Sequence, residues 1–153
     1  PLVGESTLNV DSPAVFLPVT VAHELAHQRG VAAEQEANFV GVMAATAGSN
    51  AAYQYSGWLF GYLHLSNALY SADPDLARAS YAALCAEAQA DMADNNAYWK
   101  QWEGPVKETG EKVYTAFLQG YGQELGMRSY GACVDLLVEE FLPYTTTGGF
   151  TAE

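Results

Sequence analysis

The stretch Val21 to Phe39, VAHELAHQRGVAAEQEANF, sets the reading of the whole chain. Apolar Val21, Ala22, Leu25 and Ala26 surround two histidines, His23 and His27, at a spacing of four. On an α-helix that spacing puts both imidazoles on one face, one turn apart, where they can meet a single ion. Glu24 points toward the same cleft, where a carboxylate can polarise water. Gly30 gives this helix a place to stop, and AAEQEANF opens a second one. These are the residue types of a hydrolytic zinc site.

A catalytic zinc takes three protein ligands and keeps a position for solvent, so one more ligand is needed. Glu34 and Glu36 are near enough in sequence to fold back over the histidines. Two apart on a helix, they diverge by roughly 200°, so only one can be the ligand. Glu34 is favoured, because Asn38 stands four residues further along the same face and can hydrogen-bond the outer nitrogen of a ligating histidine. Glu36 is the alternative. Ala37 is small enough to let the two helices approach. Zn2+ is the expected cofactor, although iron, cobalt or nickel suit the same imidazole and carboxylate set. The competing reading is a solvated amphipathic helix with two surface histidines and an unrelated acidic turn. The apolar flanks, the glycine stop and the E-x-x-A-N continuation count against it.

HELAHQRGVAAEQEANF is similar to the signature of a bacterial, membrane-anchored family of zinc-peptidase type, domain of unknown function 3810. The likeness continues through YSGWL, NALY, DNNAYW at Asp94 to Trp99, EGPV and SYGACVDLL, and so covers nearly the whole chain. The pattern also resembles the gluzincins, in which a glutamate from a following helix completes the site. The resemblance implies a zincin-like fold and peptidase activity on a peptide or protein. It also implies membrane helices ahead of this sequence and a catalytic domain on the extracytoplasmic face of the membrane. The spacer from His27 to Glu34 is far shorter than in typical gluzincins, which keeps both Glu34 and Glu36 open.

Composition frames this reading. At 153 residues, half of them apolar, the chain has the size of one domain with a sizeable core, spanning 1–153. Eighteen acidic against six basic residues give a formal charge of −12, which repels nucleic acid and anionic lipid. No apolar run reaches the roughly eighteen residues of a membrane span, so membrane attachment needs a segment outside this sequence. Cys85 and Cys133 sit in apolar helical patterns and read as two buried thiols, although an exported domain admits a disulfide.

The expected fold is mainly α, with at most a short N-terminal β segment at Thr7–Val10 lying beside the metal. Glu5 is a candidate cleft residue, with a solvated turn carboxylate as its plainer role. Pro18 suits the first turn of a helix beginning near Val19. The following helices are expected at about 32–47, with Ala37, Val40, Gly41 and Ala44 as its packing face, and at 51–70. Another runs from Asp73-Pro74-Asp75 to about Met92. Asp94, Asn95 and Asn96 are read as a cap for a helix bearing Tyr98, Trp99 and Trp102 that ends at Gly104-Pro105. Further helices fall at 106–121 and 130–142, and the tail from Pro143 is expected to fray. The aromatic residues of 51–70 read mostly as core, with a cleft wall bearing an oxyanion-stabilising tyrosine as the functional alternative. His64, alone in an apolar helix, reads as structural. Asn96, Tyr98 and Trp99 are candidate cleft residues beside their plainer capping and packing roles.

Two function classes emerge. One is a zinc-dependent metallopeptidase held together by His23, His27 and Glu34, with Glu24 as general base. The other is a catalytically inactive zincin-like binding or sensor domain. The intact Glu24 argues for the first.

Overall fold

A computed structural model describes residues 6–101 and 129–146 of the chain. Among the described residues the regular structure is helical throughout. A 3-10 turn, Ala14–Phe16, leads into α1 (Leu17–Gln28). Then come α2 (Glu34–Ala47), α3 (Ala51–Ala72), α4 (Pro74–Ala82), α5 (Ala86–Lys100) and α6 (Ser129–Thr146). The mainly α expectation holds.

The first helix starts at Leu17, with Pro18 in its first turn, where a missing N–H costs nothing. No side chain caps it locally. Instead the buried Ser56 of α3 accepts a hydrogen bond from the Val19 N–H, 3.1 Å away. That bond fixes α1 on α3 while satisfying a donor that helix geometry leaves over. Asn50 caps α3, accepting from the Ala52 and Tyr53 amides. Asp73 does the same for α4.

Close backbone approach sets the α1–α2–α3 layer. A Cβ added at Gly41 would lie 3.3–3.4 Å from the backbone and Cβ of His23, and one at Gly57 would sit 2.9 Å from both Ala45 Cβ and Thr46 Cγ2. The packing face of α2 is Ala37, Gly41, Val42 and Ala45. Val40 and Ala44, which the sequence placed on it, are exposed. Around this layer Phe16, Val19, Val42, Leu59, Met92, Cys133 and Leu137 form the buried cluster, with Phe39, Phe60, Leu63 and Phe141 packed on its rim.

Several expectations are corrected. Thr7–Val10 is no strand: the Asn9 side chain accepts from the Asp11 amide and donates to the Tyr98 hydroxyl, closing a turn where a strand would need a neighbour. The helix expected to run from Pro74 to Met92 breaks at 83–85. Leu84 is drawn onto the core rim there, and Gln89 Nε2 donates to the Leu84 carbonyl at 2.8 Å. Asp94, Asn95 and Asn96 cap nothing, since α5 runs through them; Asn95 is buried and accepts from Trp99 Nε1. α6 continues past Pro143 to Thr146. Cys85 is exposed at the α4–α5 junction, Cys133 is buried, and both are free thiols. Glu5, Trp102, Gly104-Pro105, the helix expected at 106–121 and residues 147–153 lie outside the described residues.

Candidate metal centre

The α1–α2 turn builds the site. Helix α1 ends in a paired set of backbone bonds: Gly30 N–H donates to the His27 carbonyl at 3.0 Å and Val31 N–H to the Ala26 carbonyl at 3.1 Å. This closure needs a left-handed residue, and Gly30 supplies it at φ +98°. The chain then turns back so that the Val31 carbonyl accepts from His27 Nδ1 at 2.7 Å. A carbonyl can only accept, so Nδ1 carries the hydrogen and, in the neutral ring, Nε2 is left with a bare lone pair.

That lone pair faces two other groups. His23 Nε2 is 3.0 Å from His27 Nε2, with the rings nearly perpendicular at 89°. Glu34 Oε2 lies 3.4 Å from His23 Nε2 and 3.6 Å from His27 Nε2. The carboxylate arrives on the first residue of α2, where the helix's positive end favours an acid. Among the described residues, His23, His27 and Glu34 are the one group of three or more His, Cys, Asp or Glu residues whose ligand atoms, all within 4.8 Å of one another, could hold a metal ion. Glu36, half a turn round α2, is exposed and outside the cluster.

The donor set fits a divalent ion. Tetrahedral zinc with bonds of about 2.0–2.2 Å spaces its donors roughly 3.3–3.6 Å apart, and the three separations fall at or a few tenths of an ångström below that range. With neutral imidazoles, at most one of the three converging atoms carries a hydrogen, so lone pairs outnumber donors at the point where they meet, an arrangement that a cation would satisfy.

Glu24 is half-buried on α1 beside His23, and its carbonyl accepts from the Ser6 hydroxyl at 3.4 Å. Asn38 is half-buried on α2 but does not make the expected contact. His23 Nδ1, a buried atom, has no hydrogen-bond partner among the described residues, and His27 Nδ1 goes to Val31 instead. The Val31 carbonyl is thus the outer support that side-chain reasoning missed, and the only sequence signal for it was the glycine before it.

His64 on α3 is buried, with its ring edge-on to Phe60 at 4.6 Å. Burial first, and then the nearby His23, push its pKa down from 6.5 to about 4, so it is neutral at physiological pH. It lies outside the metal cluster, in agreement with its structural reading. Tyr53, Tyr55, Trp58 and Tyr70 are exposed, against the expectation of core aromatics, while Phe60 and Tyr62 pack on the core rim. The Tyr55 hydroxyl donates to Asp91 at 2.6 Å; partial desolvation of that hydroxyl on an otherwise exposed side chain, together with the carboxylate, raises its pKa to about 12. Asn96 lines a separate cleft of about 350 Å³ with Tyr62, Tyr70 and Tyr81. Tyr98 ties down Asn9, and Trp99 is exposed.

The helical layer carries the H-E-x-x-H sequence on α1 and a returning glutamate at the start of α2. Residues 1–138 match the profile of the family described as "Protein of unknown function (DUF3810)", and the chain belongs to that family. No curated protein and no solved structure matches it.

Proposed function

We propose that the chain is a zinc-dependent hydrolase with a zincin-like site, acting as a metallopeptidase on a peptide or protein. The observation that carries this reading is the convergence of His23 Nε2, His27 Nε2 and Glu34 Oε2, three electron-pair donors at metal-ligand spacing. His23, His27 and Glu34 would hold a divalent ion, which would supply Lewis acidity toward a carbonyl and toward water. The chain's own residues do the rest. Val31 holds the His27 ring in orientation, and the Glu24 carboxylate takes a proton from water as it attacks and returns it to the leaving amine.

Support for the extracytoplasmic, membrane-anchored setting is the sequence resemblance, with the anchor in a segment outside this sequence. Among the described residues no helix is long and apolar enough to cross a membrane. The net charge of −12 speaks against nucleic acid as a partner.

Glu24→Gln separates metal binding from chemistry. Elemental analysis should find zinc retained in the variant, while digestion of a peptide library, which a chelator should suppress in the parent, falls by a factor of 10² or more. Equal turnover in the variant would remove Glu24 from the mechanism, and cleavage indifferent to chelator would remove the metal. Zinc bound with no cleavage of any peptide would leave an inactive binding domain.

A further inference from the structure

We propose that the cleft between α3 and α6, lined in part by His64, is the side-chain pocket of this same site and takes an uncharged, medium-sized apolar residue of a peptide. The inference rests on the hydrolase reading for its place in catalysis, and on the following geometry for its existence. The cleft has a volume of about 440 Å³ and is lined by His64, Asn67, Ala68 and Ser71 of α3 and by Gly131 and Val134 of α6. That is within the range of small-ligand pockets, about 300–1,000 Å³.

Helix register puts the cleft at the metal end of the molecule. Gly57 of α3 faces Ala45 and Thr46 of α2, and Gly61 faces Val42, so the two helices run antiparallel. Eight residues back along α2 from Val42 is Glu34, and eight forward along α3 from Gly61 is Leu69. At an equal rise of about 1.5 Å per residue, Glu34 therefore comes level with the Ala68 and Ser71 wall of the cleft. On the α1 side, Gly41 of α2 backs onto His23.

The lining sets the ligand's chemistry. In a chain with eighteen acidic residues, the described residues lining this cleft include neither a carboxylate nor an arginine or lysine. A lysine or aspartate side chain would be desolvated there without a partner, which is costly. Ala68, Gly131 and Val134 leave apolar room, while Asn67 and Ser71 offer hydrogen bonds at the walls for a peptide's main chain. A Cβ added at Gly131 meets nothing within 4 Å among the described residues, so a larger side chain at this cleft-lining position has room to enter the cleft.

The test uses zinc-loaded Glu24→Gln protein, so that binding is read without turnover. The probes are Gly-Gly-Xaa-Gly-Gly peptides with Xaa as Leu, Asp or Lys, titrated by calorimetry or NMR. The leucine peptide should bind at least ten-fold tighter than the charged ones. Adding Gly131→Leu should erase that preference, with zinc content and melting temperature kept. Equal affinity for the three peptides, binding of none of them, or a leucine preference that survives Gly131→Leu overturns the pocket. A preference that behaves as expected in a protein whose Glu24-intact form cleaves nothing upholds the pocket and sinks only the hydrolase.

Discussion

At the residue scale the site depends on a position that touches no ligand. Gly30 adopts a left-handed backbone at φ +98°, and through it the Val31 carbonyl reaches His27 Nδ1. An alanine there has room for its Cβ but must hold a conformation that L residues disfavour by about 1–2 kcal/mol. Gly30→Ala should lower stability by about that amount in denaturant titrations. It should also weaken zinc binding by roughly 10–100-fold, the range seen when a ligand's outer partner is lost. The two cysteines divide just as sharply. Cys85 is exposed, whereas Cys133 is fully buried and burial pushes its thiol up to about 11. A thiol reagent at pH 8 should titrate one group in the native protein and two in denaturant. That Glu34 and Glu36 cannot both face the histidines was legible in the sequence from helical period, but which of them does so was left open there, and it is the fold that brings Glu34 to the two rings. The contact expected of Asn38 is not made, since the same period says which face a residue occupies but not how far its short side chain reaches.

At the scale of elements, the α2–α3 contact is the least tolerant joint. A methyl group at Gly57 would meet Ala45 Cβ and Thr46 Cγ2 at 2.9 Å and the Val42 carbonyl at 3.2 Å, so the helices must part. Gly57→Ala should cost about 1–3 kcal/mol despite the better helix propensity of alanine, as read by the midpoint of chemical unfolding. A stabilised variant would show that the joint yields. Helix existence was readable from capping residues and periodicity: Asn50 and Asp73 cap where their types suggest. The break at 83–85 was hidden, because the alanines around it favour helix and the pull on Leu84 comes from a core assembled by distant parts of the chain. For the same reason Asn95, a good cap by type, ended inside a helix, where Trp99 donates to it. Ser56 serving α1 from α3 left no trace in sequence, since the pairing crosses elements.

For the whole molecule, the buried neutral His64 makes stability depend on acidity. Its folded pKa, about 4, lies below the unfolded value of 6.5, so the unfolded chain binds the extra proton between those limits. The stabilisation is therefore complete above about pH 6.5 and is lost as pH falls toward 4, by roughly 3 kcal/mol in all. Unfolding free energies of the parent and His64→Asn, compared at pH 7 and pH 4, should show a smaller acid-induced loss in the variant; an equal loss would place the acid sensitivity elsewhere.

All three donor side chains of the candidate metal centre lie between residues 23 and 34, on two helices joined by one short turn. Closing so brief a loop is entropically cheap, and contacts between near neighbours along a chain form early in folding. An ion arriving during synthesis would find its three donors assembled before α3 and α6 have docked. It would then act as a nucleus, stapling the first hairpin on which the later helices condense.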